Sequence, residues 1–121
     1  MWTKRALPAL LLVLTAAPLP VLAQDAAITA DIRCVAVGIR AAALPDSHQK
    51  SSGLLMALYY IGRLDGRDPK LDIEALMSEQ LAKMTAADFV AETQRCGGGL
   101  TGKGAQITRI GQDLQKQLAG R

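Results

Sequence analysis

Several stretches of this chain repeat their apolar residues with the period of an α-helix, and none alternates with period two. Ile28, Ile32, Val35 and Ile39 recur at steps of four, three and four. That spacing predicts a first helix over about residues 24–44 with one buried face. Cys34 falls on the other side with Val37 and Ala41, at about 100° per residue, which predicts neighbours on two sides. Leu44-Pro45 ends the helix, because a residue before proline avoids the helical region. Asp46 followed three residues later by Gln49 is the pattern of a helix start. The second helix is expected to reach Leu64 or Asp65, with Gly66 as a left-handed stop. It carries GLLMALYYIG, apolar all round, which predicts the most buried helix of a bundle. Gly53 inside it is expected to cost about 1 kcal/mol.

Asp68-Pro69 then offers a cap and a proline at a first helical position. Ile73, Leu76, Met77, Leu81 and Met84 form the stripe of a third helix. Thr85 is expected to cap a fourth, with Asp88 in its favourable first turn. Phe89 and Cys96, seven apart, share a face of that helix, and Gly97-Gly98-Gly99 is expected to end it. Leu100, Ile107, Ile110, Leu114 and Leu118 predict a last helix with a single apolar face. The fold expected is an all-α, single-domain bundle of four to five short helices.

The N-terminal stretch follows a different logic. Lys4 and Arg5 precede an uncharged run from Ala6 to Ala23, interrupted by Pro8, Pro18 and Pro20. That order is a secretory signal peptide, with small residues at Val21-Leu22-Ala23 placing cleavage between Ala23 and Gln24. Residues 1–23 are then the signal and residues 24–121 the exported domain, with no membrane span left after cleavage. Loss of Lys4 and Arg5 from the 14 basic residues leaves 12 against 11 acidic ones, a net charge near +1. No basic cluster remains for nucleic acid, and the only aromatic residues left are Tyr59, Tyr60 and Phe89.

A domain of this size buries only about two thirds of its surface, so a covalent constraint helps it. Cys34 and Cys96 are the only cysteines, and an exported chain meets an oxidising compartment. They are therefore expected to form one structural disulfide. The absence of Cys-x-x-Cys spacing removes the usual basis for a redox-active pair.

Candidate chemistry is sparse. His48 is the only histidine and has no nucleophile motif beside it. Two cysteines and one histidine are too few for a closed zinc site, and no metal, cofactor or catalytic residue is expected. Asp65, Asp68, Asp72 and Glu74 are interleaved with Arg63, Arg67 and Lys70, which reads as a mixed-charge solvated turn. Arg63 and Arg67 are expected to cap the carbonyl end of the second helix and to pair with Asp65, Asp68 or Asp72. With Tyr59 and Tyr60 they form the candidate interaction surface.

The signal, the small helical domain, Cys34, ALYYIGRLDGR at 57–67 and Cys96 together resemble the periplasmic acid-stress chaperones of the HdeA type. The resemblance implies a Cys34–Cys96 pair and a folded state that loosens in acid to hold unfolded clients. It departs in the long interval between the cysteines and in the three glycines after the second. Three functional expectations follow: a binding or chaperone-like protein for an unfolded client or protein partner, an accessory subunit of an envelope complex, or a small hydrolase or transferase using the carboxylates at 65–74 with Tyr59 or Tyr60. Oligomeric state is not legible.

Overall fold

The computed structural model describes the backbone of residues 19–120 and the side chains of residues 25–120. Those residues form four helices and no strand: α1 (Leu19–Ala42), α2 (Ser47–Arg67), α3 (Ile73–Lys83) and α4 (Ala86–Ala119). An all-α fold is thus established, with four helices, and they are not all short. Residues 1–18 of the expected signal lie outside the described residues, and the Ala23–Gln24 bond falls within the helical backbone of α1.

Helix α1 is the hub, the element that packs against all three others. Ile32, Cys34 and Val35 are fully buried and Val37 nearly so, but Ile39, expected on the first face, is 44 % exposed, so that face is buried only as far as Val35. The short connection to α2 makes the two helices antiparallel neighbours. Where they cross, Gly38 and Gly53 face each other. A Cβ added to Gly53 would lie 2.4 Å from the Ala42 nitrogen and 2.5 Å from the Gly38 oxygen. Only hydrogen fits there, so Gly53 sets the interhelical distance rather than merely weakening α2.

Helix α2 is one-sided, which corrects the expectation of an all-round buried helix. Met56, Ala57, Tyr60 and Leu64 turn inward, whereas Leu54, Leu55 and Leu58 are 50, 57 and 67 % exposed. Asp46 caps the start by accepting from the Gln49 amide at 2.8 Å. Gly66 is not the stop, since no described glycine has positive φ. The helix ends one residue later at Arg67 and is capped by Asp68, whose amide still bonds to the Leu64 carbonyl. Pro69 accordingly sits in a turn, and Asp72 is the residue that caps α3, through the Ala75 amide at 3.0 Å.

The capping box at the head of α4 is complete. The Asp88 amide donates to Thr85 Oγ1 at 3.2 Å, and the Thr85 amide donates to Asp88 Oδ2 at 2.8 Å. The helix then passes straight through Gly97-Gly98-Gly99, contrary to the expected break. Each glycine weakens a helix by about 1 kcal/mol relative to alanine. Anchors on either side offset this: Cys96 is fully buried, Leu100 packs against the core, and the Tyr60 hydroxyl donates to the Cys96 carbonyl at 3.1 Å. Gly99 has a role in that contact, because a Cβ there would stand 2.8 Å from the Tyr60 oxygen. The predicted fourth and fifth helices are therefore one helix of 34 residues.

Candidate functional site

The disulfide is present: Cys34 and Cys96 are bonded, with their Cα atoms 5.5 Å apart, and join α1 to α4. Arg95 lies over it, donating to the Ala30 carbonyl at 2.7 Å and standing 3.1 Å from Cys34 Sγ. Glu92 completes the junction, pairing with Arg95 and, at 3.5 Å, with Arg33. Arg33 in turn donates to Gln80 Oε1 at 3.0 Å and so ties in α3. The Cys34, Glu92 and Cys96 ligand atoms lie within 4.8 Å of one another. Both sulfurs are committed to the disulfide, so the trio has no thiolate to offer a metal.

Beneath that junction α1, α2 and α4 leave a half-open trough of about 610 Å³. Val37, Ala41 and Leu44 of α1 and the loop after it, Gly53 and Met56 of α2, and Phe89 and Val90 of α4 supply its apolar walls. Arg40 and His48 stand among its lining groups, and the Arg40 guanidinium lies 4.5 Å from the centre of the Phe89 ring. The trough's α1 and α2 walls lie beside the close Gly38–Gly53 crossing, and the first turns of α4, from Ala86 to Thr93, form the third. Sequence reasoning did not find it. Its walls come from three helices, and only the shared face of Phe89 and Cys96 hinted that α4 would close one side.

Of the expected interaction surface, Tyr60 is buried and Tyr59 half-buried, whereas Arg63 and Arg67 are exposed. Tyr60 is 3 % exposed, and Tyr59 packs against it edge-on with ring centres 4.9 Å apart. Arg63 lies near both rings. Neither arginine pairs with Asp65, Asp68 or Asp72. Both reach instead to Asp31 on α1, a buried carboxylate, with Arg63 Nε at 3.1 Å and Arg67 Nε at 3.4 Å from Oδ2. Asp31 was missed by reading charges along the chain, although an acid beside Ile32 and one turn from Ile28 and Val35 was the available signal. Asp68 and Asp72 serve as caps, and the Asp65–Glu74 carboxylates do not converge on a common point among the described residues.

Burial pushes the Tyr60 phenol above its usual 10.0. A raised folded-state value favours the neutral form, so this contribution to stability is complete below pH 10 and is lost as pH rises through the folded value. The denaturation midpoint of the native protein is expected to fall more between neutral pH and pH ~11 than that of Tyr60→Phe, measured side by side in urea. Parallel pH profiles would contradict the placement of the phenol.

No family profile, curated protein or solved structure matches this chain. The functional reading therefore rests on the geometry of the trough and its surroundings. No helix among the described residues is long and apolar enough to cross a membrane.

Proposed function

We propose that the chain is an exported, disulfide-stapled binding module that holds apolar polypeptide segments, of an unfolded client or a partner protein, in the trough between α1, α2 and α4. The apolar trough is the observation that carries this reading. Its half-open form suits side chains projecting from another polypeptide, whereas small-molecule sites enclose most of their ligand. Arg40 at the lining favours a segment with an acidic residue beside its apolar ones.

The acid response implied by the HdeA resemblance has a structural basis in the Thr85–Asp88 box. Hydrogen bonds from the Thr85 amide and hydroxyl hold the Asp88 carboxyl below its ordinary 3.8. A lowered folded value means support that is complete above 3.8 and is lost as pH falls through the folded value. Acid thus weakens the cap on the first turn of α4, which lines the trough at Ala86, Phe89 and Val90, while the Cys34–Cys96 bond keeps the helix tethered. Opening without loss of α4 is what an acid-activated holder of clients needs.

The test uses protein recovered from outside the cytoplasm, whose intact mass is expected to begin at Gln24 and to include one disulfide. Val90 and Leu44 are 61 and 43 % exposed, so Val90→Lys and Leu44→Lys leave the core untouched. Each is expected to weaken binding of a Leu/Phe-rich peptide by at least ~10-fold, the loss of roughly one apolar contact, at unchanged melting temperature. Equal affinity in wild type and both variants would overturn the assignment.

A further inference from the structure

The second half of α4 has no partner among the described residues. Residues 101–119 are all exposed and extend about 28 Å at 1.5 Å per residue. One side of that helix is apolar, with Ile107, Ile110, Leu114 and Leu118 exposed by 69, 51, 52 and 67 %. A contiguous apolar face of this kind marks an interaction site.

The order of residues on the face points to its occupant. In heptad notation Leu100, Ile107 and Leu114 fall at position d, and Gly97, Gly104, Gly111 and Leu118 at position a. Large side chains therefore alternate with notches. A Cβ added to Gly104 or Gly111 would meet nothing within 4 Å, so neither glycine is required by a contact inside the chain. We propose that residues 100–118 pair with the same segment of a second copy, antiparallel, about a two-fold axis near residue 109.

Parallel pairing would set glycine against glycine at 104 and 111 and leave two voids in the seam. Antiparallel pairing sets Gly104 against Leu114, Gly111 against Ile107 and Leu100 against Leu118, each twice by symmetry, with Ile110 meeting its counterpart at the axis. The face is self-complementary, as an isologous contact requires. Among the a, d, e and g positions of residues 100–118, Lys103 is the only charged one, and it faces Gln117, so no like charges are opposed. Two helices about 10–12 Å across, in contact over about 28 Å, bury on the order of 500 Å² each, or roughly 1,000 Å² together. That is the lower bound of a specific interface, which makes this a reversible dimer, populated at micromolar concentrations and above. The pairing leaves the trough open and does not depend on its function.

Sedimentation of the disulfide-bonded protein at neutral pH is expected to pass from monomer to dimer between about 1 and 300 μM. Ile107→Asp is expected to weaken the dimer at least ~100-fold while leaving the melting temperature of the dilute monomer unchanged. Under mild oxidation Ile110→Cys should form a covalent dimer. Leu118→Cys should not, because antiparallel pairing separates the two positions by about 27 Å. A monomer at every concentration, a dimer indifferent to Ile107→Asp, or cross-linking at 118 instead of 110 would each overturn the proposal. Capture of a monomeric protein by anionic vesicles through this face would overturn it too, by assigning the face to a lipid surface.

Discussion

Replacing Cys34 and Cys96 together by alanine is expected to lower stability by about 4 kcal/mol, the loop entropy released when a closure spanning 62 residues is removed. Small domains have on the order of 5–15 kcal/mol in total, so the loss is a large share. It translates to a fall in melting temperature of roughly 15–30 °C for a domain of this size. The junction makes the effect more than entropic. Helix α4 reaches the body through few elements: the disulfide, the flanking Phe89 and Leu100, the Tyr60–Cys96 hydrogen bond, and the polar links of Arg33 with Glu92 and Arg95 with Ala30. Without the bond, α4 should separate first and the trough should lose its third wall. Thermal melts by circular dichroism, with and without reductant, test this, and a shift under about 5 °C would show that packing alone holds the junction.

Gly53→Ala is expected to destabilise the protein even though it replaces glycine by the best helix former in the middle of a helix. Propensity alone predicts a gain of about 1 kcal/mol. Against it stands a Cβ placed 2.4 Å from the Ala42 nitrogen and 2.5 Å from the Gly38 oxygen, atoms of a neighbouring backbone that cannot rotate aside. Forcing α1 and α2 apart costs about 1–3 kcal/mol or more, enough to reverse the sign. Gly38→Ala should behave alike, since its Cβ would stand 2.8 Å from both the Ala57 nitrogen and the Gly53 oxygen. The control lies on the same helix. A Cβ at Gly62 meets nothing within 4 Å, so Gly62→Ala should stabilise by about 0.5–1 kcal/mol. Urea unfolding of the three variants reads the signs directly, and a stabilised Gly53→Ala would contradict the crossing geometry.

These two glycines also mark the boundary of what the sequence discloses. Hydrophobic period is a local property, so the helices, the inward side of α1 at Ile32 and Val35 and the caps at Asp46 and Thr85 could be read directly, whereas period alone does not say which apolar residues are covered: Ile39, Leu81 and Ile107 to Leu118 stay exposed. The disulfide followed from there being one pairing available. Glycine is ambiguous, because its local effect and its tertiary use have opposite signs. Gly66 and Gly97-Gly98-Gly99 read as stops but lie inside helices, held by Asp68 beyond the first and by Cys96 and Leu100 around the others. Gly53 reads as a weakness but is a contact. Arg63 and Arg67 were assigned to nearby acids because sequence distance was the only guide. Antiparallel pairing of α1 with α2 brings Asp31 nearer, although 32 residues separate it from Arg63. The trough was the least legible feature, since no single helix contains it.

The trough is the centre of the functional account, and Met56 is its most direct reporter. Its side chain is nearly buried at the base, and its methyl group gives an isolated NMR signal. Titration of the disulfide-bonded protein with a Leu/Phe-rich peptide should shift the Met56 and Ala41 methyl resonances together with the Phe89 ring, in proportion to occupancy. The methyl groups of Leu54 and Leu58 on the outer face of α2 should remain still. Binding that moves the outer leucines and leaves Met56, Ala41 and Phe89 unshifted would contradict the account.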